Sequence, residues 1–168
     1  LRRNASYLKK LPVPEHAFIA EAALVAMANA AIAMVVLAAV IGLWEAAGWN
    51  DGPAVLSWWW LLTPLPLVAL LGCGWGLGLL FGTLRVYIPD LEQASQPIQR
   101  VLFWTSPTII PAVLFEQAHV AWLPLVNPAG PALLALRSML IDHEAPDPLV
   151  AVLAAGHAVV WMAVGWLV

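Results

Sequence analysis

The chain has 168 residues, 62% of them apolar before its 11 glycines are counted, and only 10% charged, against roughly a quarter in a soluble domain. A soluble domain of this length cannot hide so much apolar surface from water, and the same apolarity excludes a disordered chain. Seven Lys+Arg against ten Asp+Glu exclude a nucleic-acid binder, and one cysteine excludes a disulfide scaffold or a Cys-rich metal site.

The pattern predicts an all-α membrane protein with four transmembrane helices and a re-entrant or interfacial outer helix pair. Residues 1–16 form a basic segment with Arg2, Arg3, Lys9 and Lys10. It is not a secretory signal, because the apolar run that follows is too long for one. The first span is expected over 17–44, with Glu21 as its only charge; the second, over 54–84, is uncharged and carries Pro64 and Pro66. A third, 97–115, starts near Arg100 and contains Pro107 and Pro111, and the last, 148–168, holds only His157 as a titratable group. Between them, 116–147 includes Asn127-Pro128 followed by the apolar stretch 129–141 with a single Arg137. Prolines 128 and 131 suit a helix start. Such a stretch reaches only ~20 Å, so it should dip into a bilayer and return.

Loop charges set a direction. The 1–16 segment and the 85–100 region carry basic residues, whereas 45–53 has none and 116–147 has four acidic residues against Arg137. Positive-inside bias places the first two in the cytoplasm and the others outside. Trp44, Trp49 and Trp58 to Trp60 then read as an outer aromatic belt. The chain opens on Leu1 and stops at Val168 within an apolar run, and is expected to be a fragment of a longer protein.

Catalytic chemistry is hard to find. The only lysines are the adjacent pair Lys9-Lys10, so no Walker A motif exists. The histidines fall at no metal-ligand spacing; Asp142, His143, Glu144 and Asp147 read as a solvated turn, with a cation site as the alternative. His157 reads as hydrogen-bonded to a neighbouring helix. The run containing Gly72, Gly74, Gly76, Gly78 and Gly82 repeats at four-residue spacing, the small-xxx-small pattern of close transmembrane packing; a substrate-facing role is the alternative. Arg137 would cost about 2.5–3.5 kcal/mol at the centre of an inserted helix. Two readings stay open for it: facing protein or a water-filled path, or snorkelling to the outer headgroups. Pro107 and Pro111 break the third span, and irregular backbone at membrane depth needs protein or an aqueous cavity around it. A half-span leading to a dipping helix is the local architecture of a gate.

Several short motifs occur in a telling order. Asn4-Ala5-Ser6-Tyr7-Leu8-Lys9-Lys10 with Pro14 resembles N-A-x-x-x-K-K-x-x-F-P, although Val13 replaces Phe; Ile88-Pro89-Asp90-Leu91 stands where R-D-L is usual. Phe103-Trp104-Thr105-Ser106-Pro107 resembles F-W-x-S-P, and Asn127-Pro128 with Arg137 resembles N-P followed at a fixed distance by R. Together they resemble the permease subunit of type 2 ABC exporters, most closely the branch exporting polysaccharides such as O-antigen, teichoic acid and capsule. The resemblance implies a fragment of a six-span permease in the bacterial cytoplasmic membrane. It further implies a homodimer around a lipid-linked glycan path, with two separate ATP-binding cassette subunits holding ATP and Mg, so that this chain binds no cofactor itself. Asn4, Lys9, Lys10 and Pro14 would belong to the cytoplasmic gate and coupling region, and Trp104, Pro107, Asn127, Pro128 and Arg137 to the path or outer gate. Pro89 departs from the family's arginine. Export of a drug or small lipid, or an ATP-independent channel or structural subunit, are the competing readings.

Overall fold

The computed structural model describes residues 16–49, 55–88, 90–108 and 110–168, with side chains from residue 20 onward except at 92. The described residues form helices and turns and no strand: α1 (His16–Ala46), a 3-10 segment (Trp58–Leu62), α2 (Pro64–Tyr87), α3 (Leu91–Trp104), α4 (Ala112–Gln117), α5 (Trp122–Val126), α6 (Gly130–Arg137), a π-helical continuation (Ser138–Asp142) and α7 (Pro148–Leu167). Three stretches among them are long and apolar enough to cross a membrane: Ala20–Ala46, Trp58–Tyr87 and Pro148–Leu167. The expected segment Asn4 to Pro14 and Pro89 lie outside the described residues.

α1 is apolar on every side. Leu24, Val25, Ile32, Val35, Val36 and Val40 are all exposed although they point in different directions around the helix, as a helix facing lipid or further protein requires. It ends where Gly48 takes φ +70, a left-handed conformation open to glycine without steric penalty. Glu45, in its last turn, accepts the backbone N–H groups of Val55 and Leu56. These donors precede the 3-10 segment and have no helical partner of their own, so the carboxylate ties the end of α1 to the approach of α2.

α2 and α7 make the tightest helix pair. A Cβ on Gly72 would meet that of Ala158 at 3.0 Å; one on Gly76 would fall on the Trp161 carbonyl, and one on Gly165 on the Gly76 carbonyl. Position 72 thus faces 158 while position 76 faces 161 to 165, so the two helices run parallel. The intervening chain therefore starts at the Tyr87 end of the pair and must return to its opposite end before α7 begins. Asp147 starts α7 there, its side chain accepting the Leu149 N–H at 2.7 Å, with Pro148 in the first turn.

α3 begins the return. It folds back along α2, so that Leu91, Ser95, Gln99 and Leu102 line one space with Gly74, Phe81 and Arg85. The helix expected over 97–115 is displaced: it starts at Leu91, absorbs Pro97 in its interior, and stops at Trp104, while α4 is a separate helix. The reason is local. Pro107 and Pro111 have no N–H to donate and push the preceding residue out of helical geometry.

The 129–141 stretch is the most enclosed among the described residues. Gly130, Pro131, Ala132 and Ala135 of α6 are buried, as is Met139 in the π-helical turn. α6 packs against both α2 and α7, and its continuation reaches the 3-10 segment at the start of α2. At its other end, the Pro128 carbonyl accepts the Cys73 thiol at 3.2 Å. Cys73 lies ~14 Å along α2 from Pro64 at the helical rise per residue, so the hairpin descends about halfway down α2 before α6 climbs back. Gly130 is required at the bottom because a Cβ there would occupy the Pro124 carbonyl.

The glycines of α2 divide by face. Gly72 and Gly76 meet α7, whereas Gly74 has nothing within 4 Å of a would-be Cβ. Gly76→Ala is expected to lower stability by ~1–3 kcal/mol through overpacking against backbone. Gly74→Ala is expected to be neutral or stabilising by up to ~1 kcal/mol from helix propensity. Thermal unfolding of the two variants in one detergent checks this; equal losses would remove the assigned crossing point.

Candidate functional site

The break after α3 exposes backbone groups that a continuous helix would have paired, and a small set of polar side chains takes them up. Thr105 Oγ lies 2.9 Å from the Val101 carbonyl and 3.2 Å from that of Leu102. Ser106, 4% exposed, donates to the Phe103 carbonyl at 2.7 Å and its hydroxyl touches that of Thr108. Pro107 is buried beside it. The chain turns here without leaving the freed carbonyls bare.

Asn127 joins this break to the hairpin. It is 5% exposed, and its Nδ2 donates to the Leu102 carbonyl at 2.6 Å and to Thr105 Oγ1 at 2.8 Å. Its Oδ1 accepts the Ala129 N–H at 2.9 Å. Both amide hydrogens are therefore spent on the end of α3, while the oxygen closes the turn that launches α6. A carboxamide is one of the few side chains able to do both at once. The next residue, Pro128, gives its carbonyl to Cys73 of α2. Three elements distant in sequence thus converge on one dipeptide: the broken end of α3, the middle of α2 and the start of α6.

Behind this latch lies a cavity of about 350 Å³, walled by Leu70, Cys73 and Leu77 of α2, Phe103 near the end of α3, and Asn127 and Leu133 from the hairpin. Its lining is mostly apolar, with Ser106, Thr108 and Asn127 as the hydroxyl and amide groups. Such a site can accommodate an apolar group or allow a neighbouring helix to shift; it assembles no nucleophile and base. Among the described residues no group of three or more His, Cys, Asp or Glu side chains sits together as a metal site.

The expected path and gate residues separate. Asn127 and Pro128 line the cavity together, and Pro107 is buried two residues beyond Thr105, which Asn127 holds. Trp104 is 58% exposed, set edge-on to Phe103 with ring centroids 6.1 Å apart, and Phe103 is the one that lines the cavity. Trp104 therefore projects away from the site within a single chain. Arg137 is half-buried at the end of α6, where the helix runs on into the π-helical turn. Gly74, Gly78 and Gly82 line the space between α2 and α3; of the five glycines expected to pack closely, Gly72 and Gly76 meet α7. His157, expected to be hydrogen-bonded, has an Nδ1 buried without a partner among the described residues, as have His143 Nδ1, Ser57 Oγ and the indole N–H groups of Trp60 and Trp75. The sequence reading missed Thr105 and Cys73. Thr105 carried a signal, a hydroxyl placed just before a proline-broken helix end; Cys73 carried none.

Comparison of the chain with protein families, with curated proteins and with solved structures gave no match. The latch makes its own prediction. Asn127→Ala would leave the Ala129 N–H without its side-chain partner and the Leu102 carbonyl with only the longer contact to Thr105, at about 1–3 kcal/mol for a buried group left bare. Thr105→Val, which removes one acceptor and keeps the shape, should cost less. Thermal unfolding in detergent should rank the two in that order, and an Asn127→Ala protein as stable as the parent would show that the latch contributes nothing.

Proposed function

We propose that this chain is the membrane permease of an ATP-driven exporter that moves a lipid-linked polysaccharide or polyol-phosphate polymer across the bacterial cytoplasmic membrane. In this reading α1, the 3-10 segment with α2, α3 with its broken continuation, and α7 make four crossings. The parallel pairing of α2 and α7 supports that count, because 88–147 must travel back along the pair between them. Loop charges then put the Arg85 end in the cytoplasm and the Glu144 end outside.

The observation that carries the proposal is the latched hairpin. A broken helix whose end is held by Asn127 to a re-entrant helix wedged between α2 and α7 is more than a membrane anchor needs. A gate requires two packings of such elements, and an energy source moves that equilibrium only by stabilising one packing over the other. Two copies of the chain would enclose the path, and two ATP-binding cassette subunits would hold ATP and Mg and bind near the basic cytoplasmic segment containing Asn4, Lys9, Lys10 and Pro14. This chain performs no chemistry. It supplies a route and a moving part, with the Asn127–Pro128 turn transmitting a shift at the end of α3 to α6.

Reconstitution tests this directly. The full-length protein, incorporated in liposomes with the ATPase subunits, should raise their turnover, and Arg137→Ala should lower export ~10-fold or more, about 1.4 kcal/mol in the limiting barrier, while inserting normally. An ATPase rate unchanged by the permease would contradict coupling. Unaltered export by the Arg137→Ala variant would return that residue to an outer-surface role.

A further inference from the structure

The cavity behind Asn127 is one end of a longer crevice. Past Gly74, Leu77 and Leu102, which line both parts, it opens into a second chamber of about 380 Å³ bounded by Gly78, Phe81 and Gly82 of α2 and by Leu91, Ser95 and Gln99 of α3. The far end is Arg85. From Leu70 to Arg85 the crevice follows α2 for ~22 Å, more than the ~15 Å hydrocarbon depth of one leaflet.

Its two ends differ in chemistry. The Leu70 end is mostly aliphatic, with Phe103 and the uncharged Ser106, Thr108 and Asn127, whereas the Arg85 end sets a guanidinium beside Ser95 and Gln99. Among the described residues, Arg85 is the one charged side chain lining either chamber. Its fork of five donors can bind a phosphate alongside a partner within the protein. Glycine supplies the floor at 74, 78 and 82, and at Gly74 the space a Cβ would enter is open.

Shape and charge together select the occupant: a mostly apolar run of ~22 Å that ends on one guanidinium suits an extended hydrocarbon chain carrying an anionic head. We infer that the crevice between α2 and α3 holds a single acyl chain of an anionic membrane phospholipid, with its phosphate on Arg85 and its ester region beside Ser95 and Gln99. The inference requires a bilayer but not the exporter reading. Lipid there would hold α3 apart from α2 and so set the position of the helix end that Asn127 grips.

The test uses the full-length protein in nanodiscs containing phosphatidylglycerol or phosphatidylcholine with a diazirine on the acyl chain, with adducts mapped by mass spectrometry. Phosphatidylglycerol should label 70–85 and 91–103 several-fold more than phosphatidylcholine. Arg85→Gln should abolish that excess, Arg85→Lys should keep most of it, and Gly74→Leu, which plugs the throat, should lose labelling at 70–77 with either lipid. Thermal unfolding of each variant separates a lost site from a lost fold, and the conservative Arg85→Lys variant keeps the comparison available should Arg85→Gln not fold. Equal labelling by the two lipids, adducts confined to α1, or complete displacement by excess soluble glycerol phosphate would overturn the inference.

Discussion

The contact between Gly72 and Gly76 of α2 and the Ala158 to Gly165 stretch of α7 governs the rest of the structure. Helices in lipid gain little from burying apolar surface against one another, since the tails they displace are as apolar as leucine; association rests on close packing and on backbone approach at small residues. Here the approach is so close that Cβ atoms on Gly76 and Gly165 would overlap backbone. Fixing these two helices side by side and parallel leaves the intervening chain one task, to return from the Tyr87 end to the Asp147 end. α3, the turn at Pro107, and the hairpin carrying α6 are the means by which it does so.

That return is irregular, and irregularity at depth in an apolar solvent is costly unless every backbone group finds a partner. Thr105, Ser106 and Asn127 supply partners at the break, and Cys73 supplies one for the Pro128 carbonyl. The same groups that satisfy the backbone also join three elements at one point, so a structural necessity becomes a mechanical linkage. In the exporter reading this linkage turns motion of α3 into motion of the outer hairpin.

Composition points to a helical chain apolar enough for a bilayer, and α1 and α7 fall within two residues of their expected limits because they are uninterrupted apolar runs, whereas the second expected span, 54–84, resolves into a 3-10 segment from Trp58 and α2 from Pro64 to Tyr87. The 97–115 segment was less legible. Its prolines announce a break, but they do not show that the helix begins at Leu91, since Pro97 reads as a start and is in fact interior. The glycine stripe was visible as a repeat, yet which glycines touch α7 depends on the rotation of α2 about its axis, which spacing does not encode. That the hairpin forms the core was also hidden, because apolar residues facing lipid and apolar residues facing protein have the same composition. Asn127 was visible as half of an Asn-Pro dipeptide; its hold on Leu102 and Thr105, 25 and 22 positions away, is a tertiary fact.

The parallel arrangement of α2 and α7 is open to one decisive measurement. Cys73 is the only cysteine, so Cys73→Ala gives a clean background for Gly48→Cys, Tyr87→Cys and Glu144→Cys, each probed in intact membranes with an impermeant thiol reagent. The account predicts that positions 48 and 144 label from one side of the membrane and position 87 only from the other. Labelling of 87 and 144 from the same side would make α2 and α7 antiparallel and remove both the return crossing and the re-entrant hairpin.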